Sequence, residues 1–531
     1  MNAQRWADRL NQKDGTLWSP DAARAGEIAA WMGWLDIAAE IAEPEVTTRL
    51  KALDEDVQLA GFQHAVLAGM GGSSLCPDVL RHTFGRIQDH PELLVLDSTD
   101  PSTIAAVEAQ VDLDRTVFLI ASKSGGTLET LSHMRYFFAK VKDRRGEEAG
   151  DQFIAITDDG SGLHRAATEL GFRDIFLNRA DIGGRYSALS FFGMVPAAVM
   201  GLDFASLLAG AQEVRQACRE GDAHNNPGLE LGAVLGTAAT SGRDKCTIIC
   251  APPVATLGMW LEQLLAESTG KEGRGIIPVE GEPLALPSAY GDDRLFAYLR
   301  TASGAERLDP QVEALQAAGQ PVYTIDIDGP GAIGGEFLRW EVATAVAGAV
   351  IGINPFDQPN VQESKDNTRA VLDGFMQSGD FGVAVADDPW AEVEALLGKC
   401  TAGDYFALLA YTESGGEIDQ LLGSIRAAVR DRSRVATTSG YGPRYLHSTG
   451  QLHKGGPNTG VFLILADERG EDLPIPGAPY GFKTLIHAQW AGDLKSLRDH
   501  GRRATMLEMG SDREAALRRL LEIAQRVPAD R

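Results

Sequence analysis

At 531 residues the chain exceeds what one hydrophobic core supports, because cores stop growing near ~250–300 residues, so two or three domains are expected. Its 44% apolar and 23% charged content is that of a globular protein and excludes a collagenous, coiled or disordered chain. A net charge of −25 repels nucleic acid and anionic membrane surfaces, so no nucleic-acid or membrane partner is expected and any anionic ligand must be held by local donors. Met1–Leu10 has no apolar export-type core, and the longest apolar runs, such as Val342–Ile353, fall short of the ~18–20 residues of a membrane span, which predicts a soluble, cytoplasmic protein. Five cysteines (Cys76, Cys218, Cys246, Cys250 and Cys400) lack framework spacing, which predicts no disulfide scaffold and a reducing compartment. Cys246 and Cys250 flank a strand-like run and read as structural rather than metal-binding.

The first 60 residues are amphipathic and helical, with Trp31, Trp34, Leu35 and Ile37 set to pack on the domain C-terminal to them. Short apolar runs ending in turns then appear at His64–Gly71, Glu92–Asp100, Thr116–Gly125 and Gln152–Asp158, with helix-length segments between them. Strands alternating with helices predict a doubly wound parallel sheet with ligands at its carboxyl edge. A long helical stretch from Ser190 to about Leu235 precedes a second series of strands at Cys246–Cys250, Arg294–Thr301, Pro321–Asp328 and Gly382–Ala386. A third series, Asp404–Thr412, Arg434–Thr438, Gly460–Ala466 and Ala504–Met509, predicts a smaller C-terminal α/β region. The domains are accordingly drawn at 1–205, 206–387 and 388–531.

Five segments carry chemistry. Gly69-Met70-Gly71-Gly72-Ser73-Ser74-Leu75 follows the first strand and opens a helix, where glycines let backbone approach a ligand and free N–H groups favour an anion, although tight packing alone also uses such turns. Ser122-Lys123-Ser124-Gly125-Gly126-Thr127-Leu128-Glu129-Thr130 follows the third, bringing hydroxyls and an ammonium to one loop, as a phosphate requires; an ordinary capping box is compatible with the same residues. Gly183-Gly184-Arg185-Tyr186-Ser187 offers either a fixed cation or a surface salt bridge. In Trp260–Gly275, Gln263 and Glu267 are four apart on one helix face, Glu267 lies near the unfavourable end of the helix dipole, and Glu262 points elsewhere into solvent. In Asn354–Lys365, Gln358 and Lys365 are seven apart and aim the same way, unless Asp357 merely caps a solvated helix. No His, Cys and carboxylate set has metal-ligand spacing, His447 and His453 being six apart, so no metal and no cofactor are expected.

From about Gly61 to Phe375 these segments, in this order, resemble the phosphoglucose isomerase family. GMGGSSL and SKSGGTLET are similar to its two phosphate loops, GGRYS to its arginine segment, QLLAESTGK to its catalytic segment, and DQPNVQESK to its Asp-Gln…Lys helix with the acidic residue displaced by one. The C-terminal HSTGQLHKGGPNTG is similar to that of the isomerase half of bifunctional transaldolase/phosphoglucose isomerases. The resemblance implies two sugar-isomerase (SIS) domains, a homodimer, and interconversion of glucose 6-phosphate and fructose 6-phosphate through a cis-enediol. It implies Glu267 as the base, Arg185 as stabiliser of the enediolate, and Gly72, Ser73, Ser122, Lys123, Ser124 and Thr127 at the phosphate. Gln263 and Gln358 would orient the sugar, and Lys365 would join a histidine in ring opening. Where the family's histidine is expected this chain has Arg294, which cannot shuttle a proton. His447, four residues before Gln451 as in the family's histidine segment, is favoured over His453 to replace it; packing or capping of the C-terminal unit by both is the other reading. Isomerisation of another anionic hexose, mannose 6-phosphate or a sulfonated sugar, and a non-catalytic sugar-phosphate sensor are the alternatives. Glu267 and Arg185 argue against a sensor, since holding a phosphate requires neither.

Overall fold

The computed structural model describes residues 5–383, 386–467 and 469–526. Among them, three wholly parallel sheets follow one another along the chain. The first contains β1 (His64–Gly69), β2 (Glu92–Leu96), β3 (Thr116–Ala121), β4 (Phe153–Asp158) and β5 (Asp174–Asn178), in the spatial order β2-β1-β3-β4-β5. The second contains β6 (Lys245–Cys250), β7 (Ile277–Val279), β8 (Arg294–Arg300) and β9 (Val322–Asp326), ordered β7-β6-β8-β9. The third, of β10 (Tyr405–Tyr411), β11 (Ala436–Tyr441), β12 (Gly460–Ala466) and β13 (Arg503–Glu508), is ordered β11-β10-β12-β13.

β3, β10 and β12 are buried along their whole length, and β1 from Ala65 onward, as expected of strands covered on both faces. In the first sheet the chain leaves β1 towards β2 on one side and returns to β3 on the other, so the loops after β1 and β3 border one crevice at the switch point. The two glycine-rich segments occupy those loops.

Several boundaries differ from the pattern-based expectation. The stretch from Ser190 to Leu235 is three helices, Phe191–Val199, Phe204–Ala217 and Pro227–Thr240, the last two opened by the side-chain caps Asp203 and Asn226. β7 escapes pattern reading because it has three residues and contains Pro278, which an edge strand tolerates. Gly382, Val383 and Ala386 of the expected strand Gly382–Ala386 have no regular structure, and 384–385 lie outside the described residues. β11 starts at Ala436 because Arg434, at φ 58, ends the preceding helix in the left-handed region.

The N-terminal helices pack as expected. Trp34 is fully buried 5.0 Å from the Tyr186 ring, and Trp18 Nε1 donates to Ala345 O at 2.8 Å. No helix of the described residues is long and apolar enough to cross a membrane.

Candidate active site

The loop after β1 runs Met70–Ser74 and presses against two other segments. Gly71 sits at φ +55, where its missing Cβ leaves room for the main-chain oxygen of His447 and the amide of Gln263, and a Cβ on Gly72 would overlap Gly184 O. Glycine thus lets this loop, the arginine segment and the C-terminal region meet. Ser73, buried, is in the same turn.

In the loop after β3, Ser122 Oγ and Thr127 Oγ1 are 3.0 Å apart, and Ser124 Oγ accepts from Gly126 N at 3.3 Å. Thr127 occupies the N-cap position of the Leu128–Arg145 helix, yet its hydroxyl does not cap it, and the N–H of Glu129 in the first turn is taken by its own carboxylate. The Lys123 ammonium turns away to Asp158 and the carbonyls of Arg179 and Ala180. The loop therefore presents hydroxyls rather than that ammonium.

Arg185, 1% exposed, is held on every side. Its Nε donates to Ser268 Oγ (2.7 Å), Nη1 to Gln358 Oε1 (2.9 Å), and Nη2 to the carbonyls of Pro355 (2.6 Å) and Asp357 (3.1 Å). Glu267 Oε1 lies 3.1 Å from Nη1 and supplies the counter-charge. Gln263 Nε2 donates to Glu267 Oε2 (3.1 Å) and also to His447 O (2.8 Å), linking the Leu257–Thr269 helix to the C-terminal region. Lys271 Nζ meets Asp357 Oδ1 at 2.7 Å; burial and the neighbouring charge of Arg185 hold this ammonium down to about 8 despite Asp357.

His447 Nε2 is 2.9 Å from Glu129 Oε1. Burial would raise the Glu129 carboxyl, but the charge and hydrogen bond of His447, with its own backbone N–H and Lys365, bring it down to about 2. A cavity of about 280 Å³ opens here, lined by Ser124, Glu129, Lys365, Arg369, Leu446 and His447. The structure thus gathers the β3 loop, the Lys365 helix and His447 around one cavity, and joins Arg185, Glu267, Gln263 and Gln358 in a buried network connected to it through His447. Sequence reading gave Glu129 and Lys271 no role, although their positions, two residues after Thr127 and four after Glu267, were the available signal.

Two candidates are placed elsewhere. Arg294, wholly buried at the start of β8, donates to Thr247 Oγ1 (2.8 Å), Glu282 Oε1 (3.1 Å) and Val435 O (3.2 Å), so it stitches the second sheet to the third instead of facing the cavity. His453 is buried among the rings of Tyr405, Tyr445 and Phe462, and burial with Lys454 and Arg502 holds it well below the ordinary histidine value, hence neutral. Glu262, expected in solvent, is half-buried in a separate cavity of about 340 Å³ together with Glu280; burial and that second carboxyl push it up to about 8.

Residues 45–276 match the family model for phosphoglucose isomerase. A glucose-6-phosphate isomerase of Rubrobacter xylanophilus is 30% identical over 375 residues, covering 60% of this chain and 84% of that protein. Another, of Methanocaldococcus jannaschii, is 27% identical over 349 residues, covering 59% of this chain and 85% of that protein. Among solved structures, a hypothetical protein of Thermus thermophilus superposes with a TM-score of 0.60 at 26% identity, covering 70% of this chain and 96% of that one. A glucose-6-phosphate isomerase of Chlamydia trachomatis shares the fold with a TM-score of 0.55 at 21% identity, covering 69% of this chain and 78% of that one.

Proposed function

This chain belongs to the phosphoglucose isomerase family, and from that premise we propose that it interconverts glucose 6-phosphate and fructose 6-phosphate by proton transfer through a cis-enediol. The observation that carries the reading is the Arg185–Glu267–Gln263–His447 network set beside a hydroxyl-lined loop at the switch point of the first sheet.

The phosphate is taken by the hydroxyls of Ser73, Ser122, Ser124 and Thr127, where small donors at a helix start suit an anion. Gly72 brings the backbone close enough to assist. Ring opening breaks the C1–O5 bond: the O1 hydroxyl gives its proton to the His447 imidazole, C1=O1 forms, and O5 takes a proton from the Lys365 ammonium. The two side chains then re-equilibrate through solvent. Glu267 removes the C2 proton of the open aldose and returns it to C1, with Arg185 stabilising the charge that builds on the enediolate oxygens in a water-poor setting. Gln263 and Gln358 fix the carboxylate and the guanidinium in register.

A reducing, cytoplasmic setting is supported by five unbridged cysteines, and a homodimer is carried over with the family, to be weighed by sedimentation. The function is tested by a coupled assay of the purified protein on both sugar phosphates. Turnover in both directions, with unphosphorylated glucose a very poor substrate, is the expected result; equal activity on glucose removes the phosphate loops from the account.

A further inference from the structure

One oxygen of Glu129 receives two side-chain donors. Besides His447, Gln489 Nε2 donates to Glu129 Oε1 at 2.8 Å. Gln489 stands on the Phe482–Asp499 helix of the C-terminal region, 360 positions along the chain from Glu129, and is 1% exposed. Its own carbonyl end accepts from Thr99 Oγ1 at 2.6 Å, and Thr99, just beyond β2, is fully buried. Polarity therefore runs one way: the Thr99 hydroxyl donates to the amide oxygen, and the amide nitrogen donates to the carboxylate. Turning the amide over would set its oxygen against an ionised carboxylate, which accepts only.

The same logic extends to the histidine. A carboxylate receiving Gln489 and its own main-chain N–H stays an acceptor, so the ring nitrogen that meets it must carry hydrogen. That nitrogen is Nε2. The lone pair of the neutral ring is then on Nδ1. The other charged groups near this pair are Lys365, Arg369 and Asp366 along the cavity, with His133 one helical turn beyond Glu129.

We infer that Gln489, set by Thr99, is a positioning residue for ring opening: it locks Glu129 so that His447 is held as its Nε2–H tautomer and Nδ1 becomes the atom that takes the proton from the anomeric hydroxyl. This rests on the isomerase reading above, and it assigns the Phe482–Asp499 helix a part in the chemistry that no motif of the sequence announces.

The test separates ring opening from enolisation. Gln489→Met keeps the side-chain length and removes both hydrogen-bonding ends. Turnover of glucose 6-phosphate should fall about tenfold, the effect of one hydrogen bond to a charged group, with KM held. The probe for enolisation is 5-deoxyfructose 6-phosphate, which lacks the hydroxyl that closes the furanose ring. Exchange of its C1 protons with deuterated solvent should stay within about twofold of wild type, since that step does not need the histidine. Unchanged turnover of glucose 6-phosphate overturns the proposal, and so does a parallel loss of exchange, which marks general damage to the site. Should Gln489→Met fail to fold, Thr99→Val against Thr99→Ser decides: a loss in the valine variant rescued by serine supports the proposal, and equal rates overturn it. In wild-type protein, ¹⁵N resonances of His447 report the tautomer without any turnover, and hydrogen on Nδ1 of the neutral ring refutes the assignment. Failure of the isomerase reading itself is recognised separately, as wild-type protein inactive on glucose 6-phosphate.

Discussion

Glu267 combines two duties, since the carboxylate proposed to move a proton also neutralises the buried Arg185 at 3.1 Å. Glu267→Gln keeps the shape and loses both the base and the charge. The expected outcome is a fall in kcat of ~10²–10⁴ with KM little changed, because a general base contributes about that much and the phosphate loops are untouched. The same variant should unfold more easily by roughly 3 kcal/mol in urea, the cost of leaving one partner of a buried pair uncompensated. Steady-state kinetics and a denaturation curve on one preparation check both halves, and near-normal turnover removes Glu267 from the mechanism.

The Leu128–Arg145 helix shows how much one element carries: Thr127 stands at its start, Glu129 in its first turn and His133 one turn on. Because the Thr127 hydroxyl faces Ser122 and does not cap its own helix, Thr127→Ala should leave the fold in place and raise KM for glucose 6-phosphate by the value of one charge-assisted hydrogen bond, about 1.5–3 kcal/mol; Ser124→Ala should behave alike. A KM unmoved in both variants places the phosphate elsewhere. His133 gives the helix a pH dependence. Burial lowers it from 6.5 to about 4, so the unfolded chain binds this proton more readily, and its stabilising contribution is full above 6.5 and lost as pH falls towards about 4. Glu129, at about 2 against an ordinary 4.5, holds its contribution until pH drops below 4.5. Unfolding free energy should therefore decline between 6.5 and 4.5 on account of the buried histidines, by up to about 1.4 kcal/mol per pH unit for each, and His133→Gln should flatten that slope. Legibility follows the same scale. Loops after β1 and β3 and the Gln263/Glu267 face were readable because their meaning is local: a strand, a glycine turn and a helix start, or two positions one helical turn apart. Arg294 and Gln489 were not, since which buried side chain meets which partner is settled by packing between segments more than a hundred residues apart, and His453 was not, since only the folded third sheet brings Tyr405, Tyr445 and Phe462 around its ring. β7, with three residues and a proline, was too short to leave a pattern.

At the scale of the whole molecule the C-terminal region is part of the core. Ala266, Ile277 and Val279 of the second sheet unit share one buried apolar cluster with Tyr405, Leu409, Tyr445 and Leu452. Polar ties run along the same boundary. Glu282 Oε1 takes Arg294, Thr437 N and Thr437 Oγ1, Arg426 donates to Glu280 O, and Lys245 Nζ reaches Gly403 O. Removing 388–531 would thus strip His447 from the cavity and also expose the apolar side of β7 and the Leu257–Thr269 helix, so the truncated chain should be inactive and aggregate. That experiment cannot by itself divide chemistry from packing, but two point variants can. Arg294→Met takes from buried Glu282 its hydrogen-bonded cation, leaving Arg430 at 4.0 Å, and should cost about 1.5–3 kcal/mol of stability while the folded fraction turns over glucose 6-phosphate at the wild-type rate. His447→Ala, at a part-exposed side chain, should act on the chemistry instead: slow conversion of the cyclic sugar with near-normal C1 exchange of the open ketose, and a stability loss no larger than that of its one hydrogen bond to Glu129, about 1.5–3 kcal/mol. The prediction is the contrast in turnover between the two variants. If Arg294→Met instead lowers kcat of the folded protein while His447→Ala does not, the guanidinium is the group acting on the ring, and the histidine serves only to seat the C-terminal region on Glu129.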